Sequence, residues 1–287
     1  MEFRTVVDIE KPPFELSPCE RILFVGSCFA DGMGRQAQEE MFRAMVNPYG
    51  VMYNPASILH TVARVVDEEK RLKEEPFSTV VLTLGTNHVY ILKETGDIVD
   101  NCQKRPQCLF EERELSVDEC AGYLFQVVEL LHRTNPDIRV ILTVSPIRYR
   151  KYGYHNSQLS KSTLLLAVAK LLRSIESSPT LKSVKCYYFP AYEIVLDELR
   201  DYRFYAPDML HPSEQTVEYI WQRFGETLFS AETKGFLTKW HPLKNALAHR
   251  PFNPDSTEYK AFRAATLNKV KELRRSYPAM PNPCNNE

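Results

Sequence analysis

The chain of 287 residues carries 36 lysines and arginines against 37 aspartates and glutamates, a formal charge of −1. Its 44% hydrophobic and 25% charged residues are typical of a globular protein, and a chain of this length can bury a full core. The even charge balance excludes a general electrostatic attraction to nucleic acid or to anionic lipid.

The start of the chain does not resemble an export signal. Residues 1–18 contain acidic residues and prolines where a signal peptide has a continuous apolar run. No apolar stretch approaches the roughly 20 residues that a membrane-spanning helix needs. Seven scattered cysteines without a CxxC pair are typical of reduced thiols. We therefore expect a cytoplasmic protein with no membrane span, no metal site and no cofactor.

Short apolar runs alternate with longer stretches of helical periodicity along the chain. The two helical stretches, Val117–Arg133 and Leu159–Ile175, repeat apolar residues at steps of three and four, as a core-facing helix does. This alternation predicts an α/β fold with a doubly wound parallel sheet. The runs that predict buried parallel strands are Ile22–Gly26, Val80–Gly85, Val140–Val144 and Val184–Phe189.

Ligands of such sheets bind beyond the carboxyl ends of the strands, so the residues after each run are candidates for chemistry. Ser27 directly follows the first strand and opens a predicted helix through Met33–Met45. At this turn its hydroxyl would leave the sheet, and its N–H would join the free donors of the helix N-terminus. Two alternatives remain open: Ser27 is only a helix N-cap, or Cys28 is the nucleophile.

Two further loops offer donors for an oxyanion. Gly50 lies in a loop dense in turn residues, where its N–H can approach a ligand or where it serves a plain connecting turn. Asn87 follows the second strand, and its side-chain amide is a suitable donor. The adjacent His88 competes for any role that needs a base.

The segment that contains Asp208 and His211 supplies a candidate acid–base pair. An Asp three residues before a His, in a loop closed by Pro212, places carboxylate and imidazole side by side. The carboxylate then holds one ring nitrogen and leaves the other to accept the proton of a serine. A capped helix start at Ser213 is the alternative interpretation. Together with Ser27, the pair predicts a catalytic triad.

The string Gly26-Ser27-Cys28-Phe29-Ala30 resembles the signature of the GSCFA-domain family, a bacterial group related to the SGNH/GDSL hydrolases. The resemblance covers roughly residues 1–255. Further similar segments are residues 47–50, 53–55, 101–104, 143–148, 159–161 and 197–212.

The resemblance implies an SGNH-type, flavodoxin-like fold, which is a three-layer α/β/α sandwich with a parallel sheet. It also implies that Ser27 is the nucleophile of a triad with Asp208 and His211. The backbone N–H groups of Ser27 and Gly50, with the amide of Asn87, would then bind the oxyanion. In the wider superfamily the block that contains this asparagine reads Gly-x-Asn-Asp, whereas this chain has His88 as the fourth residue of the block.

Basic and polar residues near the predicted catalytic edge are candidates for substrate binding. Ser145 and Arg148 follow a strand and, with Asn101, could hold an anionic or polyhydroxylated substrate, although a solvated basic loop fits the same pattern. We expect a serine hydrolase that acts on ester bonds of a small molecule or glycan. By analogy with related folds it is a carbohydrate O-acyl (acetyl) esterase or acyltransferase. The alternative is a non-catalytic module with the same fold that binds a glycan or a protein.

The end of the chain differs in character from the rest. Prolines punctuate the sequence after residue 232, and Thr257–Ser276 reads as one basic amphipathic helix. We expect a hydrolase domain over residues 1–255 and a C-terminal part over 256–287, disordered from residue 278 onward.

Overall fold

The computed structural model describes residues 4–283 as an α/β structure with two sheets. Its strands are β1 (Arg21–Gly26), β2 (Arg43–Val46), β3 (Thr79–Leu84), β4 (His88–Leu92), β5 (Ile98–Val99), β6 (Phe110–Glu114), β7 (Arg139–Val144) and β8 (Lys185–Tyr188). Its helices are α1 (Cys28–Glu39), α2 (Pro55–Leu72), α3 (Val117–Thr134), α4 (Gly153–Ser177), α5 (Ala191–Glu193), α6 (Glu214–Leu228), α7 (Ala231–Ala248) and α8 (Thr257–Ser276).

The larger sheet has five parallel strands in the order β2-β1-β3-β7-β8. Numbered among themselves along the chain, these strands run 2-1-3-4-5, the order of flavodoxin-like sheets. The predicted parallel sheet is therefore confirmed, and the four apolar runs that predict its strands correspond to β1, β3, β7 and β8. The order reverses between β1 and β3, which is where doubly wound sheets bind their ligands.

The sheet separates two apolar layers. Leu23 and Val25 of β1 face the side covered by α2, α3 and α4, whereas Ile22 and Phe24 face the side covered by α1, α6 and α7. All four side chains are fully buried. This alternation produces the predicted three-layer α/β/α sandwich, because successive side chains of a strand point to opposite faces.

The prediction of one helix through Met33–Met45 is wrong at its end. α1 stops at Glu39, Met41 adopts a φ of +66°, and Arg43–Val46 form β2 at the edge of the sheet. Arg21 pairs with Arg43 and Phe24 with Val46. Within Arg43–Val46 only Val46 has a clear preference for strand, so pairing with β1 overrides the local propensity of the other three residues.

A small antiparallel sheet in the order β5-β4-β6 was not anticipated from the sequence. It is inserted between β3 and α3, and β4 pairs with β6 from His88 opposite Glu114 to Leu92 opposite Phe110. The small sheet begins with β4, two residues after Thr86. The chain therefore leaves the carboxyl edge of the larger sheet soon after β3 ends.

The C-terminal helices pack on the same core. The predicted helix over Thr257–Ser276 is confirmed as α8, and its Val270 and Leu273 join the buried cluster that contains Trp240 of α7. Of the segment expected to be disordered, residues 278–283 are described, and Met280 within them is 2% exposed. Residues 284–287 lie outside the described residues. No helix within residues 4–283 combines the length and apolarity needed to cross a membrane.

Because Leu273 is buried against α7, Leu273→Ala should lower the free energy of unfolding by about 2–4 kcal/mol. Leu166, which is 58% exposed, is the matched control, and Leu166→Ala should change that free energy by no more than about 0.5 kcal/mol. Urea unfolding with an unchanged slope measures both. A Leu273→Ala protein with the parental midpoint would mean that α8 unfolds independently of the sandwich.

Candidate active site

The turn between β1 and α1 is set by the close approach of two strands. Gly26 has a φ of +148°, and a Cβ placed there would lie 2.1 Å from the carbonyl oxygen of Thr83 in β3. Only glycine fits, because any side chain would collide with backbone. Asn47 fastens the same turn: its Oδ1 accepts the N–H of Gly26 at 2.9 Å, and its Nδ2 donates to Asp31 at 2.6 Å.

Ser27 is the N-cap of α1. Its hydroxyl accepts the N–H of Phe29 at 3.3 Å and lies 3.2 Å from the Thr83 hydroxyl, and the residue is fully buried. Its extended backbone (φ −65°, ψ 174°) folds the side chain over the first helical turn. The hydroxyl therefore contacts Thr83 and the start of α1, and His211 is not among its hydrogen-bond partners.

Asp208 and His211, the predicted acid–base pair, lie in direct contact. His211 Nδ1 lies 2.5 Å from Asp208 Oδ2, while Oδ1 accepts the N–H groups of Leu210 and His211 at 2.9 and 3.0 Å. The backbone donors of His211 and Leu210, followed by the imidazole, lower the pKa of Asp208 to about 2. The carboxylate is thus ionised at neutral pH. His211 Nε2 has no hydrogen-bond partner within residues 4–283.

Arg148 holds the loop that carries this pair. Its backbone N–H donates to the Leu210 carbonyl at 3.0 Å, and its guanidinium donates to the Met209 carbonyl at 3.1 Å. The guanidinium also lies 4.4 Å from the ring centre of Tyr154 and 5.4 Å from that of Tyr205. Arg148 lies next to the pair, as expected, but in this structure its contacts position the loop.

A cavity of about 730 Å³ opens beside His211, between α1, α6 and α7. Cys28 and Gly32 of α1 line it, whereas Ser27 does not. Its apolar lining residues are Phe29, Ile147, Pro212, Val217, Trp221, Phe229 and Leu237. Its other polar lining residues are Arg35, Gln36, Glu39, Glu40, Glu214, Glu218, Gln222, Glu226, Lys234, His241 and Lys244.

The three predicted oxyanion donors all have other acceptors. The N–H of Ser27 donates to Thr83 at 3.1 Å and that of Gly50 donates to Asn47 at 2.8 Å. The amide of Asn87 donates to the Leu115 carbonyl at 2.8 Å and is buried. The role of Asn87 in the oxyanion site stays a prediction; in this structure its side chain turns into the core and holds the segment before α3.

His88, the competing base, lies in another part of the molecule from His211. It is 7% exposed, and its ring stacks parallel to that of Tyr152 at 3.7 Å. Burial lowers its pKa, and the nearby Glu114 and Glu112 oppose this shift. His88 does not line the 730 Å³ cavity, so it is not placed to act there.

Asn101 and Ser145 are not brought to the cavity beside His211. Asn101 lines a separate cavity with Tyr49 and Arg64, and its Oδ1 accepts the N–H of Gln103 at 2.8 Å. Ser145 is fully buried, and its hydroxyl accepts the N–H of Ile147 at 3.3 Å. The expectation that these two side chains bind substrate beside His211 is not supported by their positions.

Lys161 is a residue that the sequence reasoning missed. It is 2% exposed, and its ammonium donates to the carbonyls of Gly85 and Ser145 at 2.6 and 2.7 Å. It therefore joins the loops that follow β3 and β7. Its neighbour Ser160 accepts the N–H of Asn87 at 3.0 Å. The only signal in the sequence was the similarity of residues 159–161 to the family pattern.

No group of three or more His, Cys, Asp or Glu side chains in the described part of the chain is arranged to hold a metal ion. The side chains at the cavity include the Cys28 thiol and two imidazoles: that of His211, 2.5 Å from Asp208, and that of His241, 2.7 Å from Glu40.

The chain belongs to the GSCFA family. The sequence model of that family matches residues 21–79 and 70–224, and a model described as the C-terminal domain of GSCFA domain proteins matches residues 240–287. The two segments matched by the GSCFA family model together contain the turn at Gly26 and the Asp208–His211 pair. A search of curated proteins gives no match to this chain.

Solved structures similar to this one include esterases and an acyltransferase. A family 3 carbohydrate esterase from Talaromyces cellulolyticus is 12% identical over 72% of this chain and 95% of its own, with a TM-score of 0.42. A family two carbohydrate esterase from Clostridium thermocellum is 13% identical over 79% and 66%, with a TM-score of 0.42. The salicylyl-acyltransferase of a tetracycline biosynthetic pathway is 13% identical over 76% and 54%, with a TM-score of 0.46.

Burial lowers the pKa of Lys161 to about 7, whereas an unfolded lysine titrates near 10.4. Between these pH values the unfolded chain binds a proton that the folded chain lacks, so this residue makes stability rise with pH. Lys161→Met should remove that rise. The unfolding free energy of the parent minus that of the variant should therefore increase from pH 7 to pH 10, as measured by urea unfolding.

Lys182→Met is the control for this experiment, because Lys182 is exposed. Its pH profile should run parallel to that of the parent protein. Parallel profiles for Lys161→Met and the parent would show that Lys161 keeps its proton in the folded state throughout the window.

Proposed function

We propose that this protein is a hydrolase or acyltransferase that acts on ester bonds at the cavity beside His211. The observation that carries the proposal is the 2.5 Å contact between Asp208 and His211 Nδ1, on a ring that lines a cavity of about 730 Å³. An ionised carboxylate behind an imidazole with a free second nitrogen is the arrangement of a general base.

The pair acts as follows. Asp208 holds Nδ1 in its protonated form and offsets the charge that the ring gains. Nε2 takes the proton of the attacking group and later gives it to the departing alcohol. The nucleophile comes from the turn between β1 and α1, where the sequence assigns Ser27. Water, or the hydroxyl of a second substrate, then accepts the acyl group.

The N-terminus of α1 supports the oxyanion. A helix start presents unpaired N–H groups and a partial positive charge, both of which favour a developing negative oxygen. The N–H of Ser27 is already paired with Thr83, but that of Cys28 donates to no acceptor within residues 4–283. The helix start therefore retains a donor beside the cavity.

We further propose carbohydrate O-acyl groups, acetyl in particular, as substrates. The cavity is lined by amide and carboxylate side chains, including Gln222 and Glu214. Carboxylates and amides are the hydrogen-bond partners that sugar hydroxyls need.

His211→Ala should lower kcat for p-nitrophenyl acetate and for acetylated oligosaccharides by about 10²–10⁴, because the proton acceptor is gone. Asp208→Asn should retain a small residual rate, because it disturbs the orientation of the ring and leaves the ring itself in place. The exposed His155 supplies the control, since His155→Ala should turn over ester at the parental rate. Steady-state kinetics on protein of verified fold measures all three.

Two results would contradict the proposal. One is ester turnover that is the same in the parent and in His211→Ala. The other is an absence of turnover together with binding of unmodified glycans at the cavity, which would establish the non-catalytic binding module instead.

A further inference from the structure

We propose that the nucleophile of this site is the Cys28 thiol, and that Ser27 positions it. The inference rests on the proposed function, whose general base it shares. It is carried by a difference between two adjacent residues: Cys28 lines the cavity with His211, while Ser27 is fully buried behind it.

The burial of Ser27 removes it from the substrate. A nucleophile has to reach the carbonyl carbon of an ester, and a side chain with no exposed surface can do so only after the turn rearranges. The hydroxyl already accepts the Phe29 N–H and shares a hydrogen bond with the Thr83 hydroxyl, in which either oxygen can donate. Losing them would uncap α1 and destabilise the start of the helix.

Cys28 stands at the first position of α1, where the helix dipole places partial positive charge. The Tyr53 hydroxyl lies 3.5 Å from Sγ and can donate to it. Desolvation, and then the contact with Cys28, raise the pKa of Tyr53, so the phenol keeps its proton for this bond.

The oxyanion also fits this assignment. The N–H of Cys28 itself donates to no acceptor within residues 4–283, whereas the N–H of Ser27 is bound to Thr83. An oxygen that becomes negative after attack by Sγ forms next to this donor. With Ser27 as nucleophile, its own N–H would first have to leave β3.

The reaction balances without a cofactor. The thiol proton passes to His211 Nε2, the sulfur attacks the ester carbonyl carbon, and the π pair moves onto oxygen. The carbonyl re-forms as the alkoxide leaves with the proton from His211, and a thioester remains on Cys28. Water attacks this thioester while His211 takes its proton. The thiolate leaves, regains the proton, and the carboxylic acid is released.

The first test compares three variants with p-nitrophenyl acetate. Cys28→Ala should lose about 10³-fold or more in kcat, as expected for a deleted nucleophile. Ser27→Ala and Ser27→Gly should lower kcat by about tenfold at most, because they remove only the contacts that position Cys28. The alanine variant should have the lower melting temperature, since glycine is the better N-cap. Mass spectrometry of acid-quenched enzyme should find acetyl on the peptide that contains Cys28.

The second test does not depend on turnover. Iodoacetamide should alkylate Cys28 at pH 7 faster than the exposed Cys108 by about 10–30-fold, because a thiolate is the reacting form. His211→Ala should slow alkylation of Cys28 and leave Cys108 unchanged.

The outcomes separate the two proposals. Turnover that needs His211 but survives Cys28→Ala, and that both Ser27 variants abolish, would overturn the role of Cys28 and leave the esterase intact. Turnover that ignores His211 would overturn the proposed function itself. Acetyl found on Ser27 would also overturn the assignment of Cys28.

Discussion

The site depends on the contact between Gly26 at the end of β1 and the Thr83 carbonyl in β3. Because Gly26 has no Cβ, β1 and β3 come close enough at this point for the N–H of Ser27 to donate to Thr83 and extend the strand pairing by one hydrogen bond. That bond turns Ser27 toward the sheet and directs the next residue, Cys28, to the cavity. A single backbone constraint thus decides which of two adjacent side chains lines the cavity.

The other loops at this edge are held to the same frame by buried polar groups. Asn47 holds the turn at Gly26, Lys161 joins the loops after β3 and β7, and Arg148 holds the loop of His211. Burying an ammonium that donates only to carbonyls is costly, since no carboxylate offsets its charge among these contacts. The two short hydrogen bonds of Lys161 fix the loops at the carboxyl ends of the strands, whose conformation would otherwise vary.

Local patterns explain why some parts of the site were predictable. Asp208 and His211 are three residues apart, so one loop brings them together, and the sequence finds them without knowledge of the fold. Asn87 was assigned by its letter within a Gly-x-Asn segment. Its orientation depends on Leu115 and Ser160, which are distant in sequence, and no local pattern reports these contacts.

The sequence by itself determined the parallel α/β sandwich, the last basic helix and the Asp208–His211 pair, because apolar periodicity and short spacings are local properties. Tertiary structure alone decided that Arg43–Val46 form an edge strand, that Ser27 is buried and that Cys28 shares a cavity with His211. Each of these depends on strand pairing or on helix packing between segments far apart in the chain. The free energy of such contacts exceeds the weak local preferences that a sequence displays.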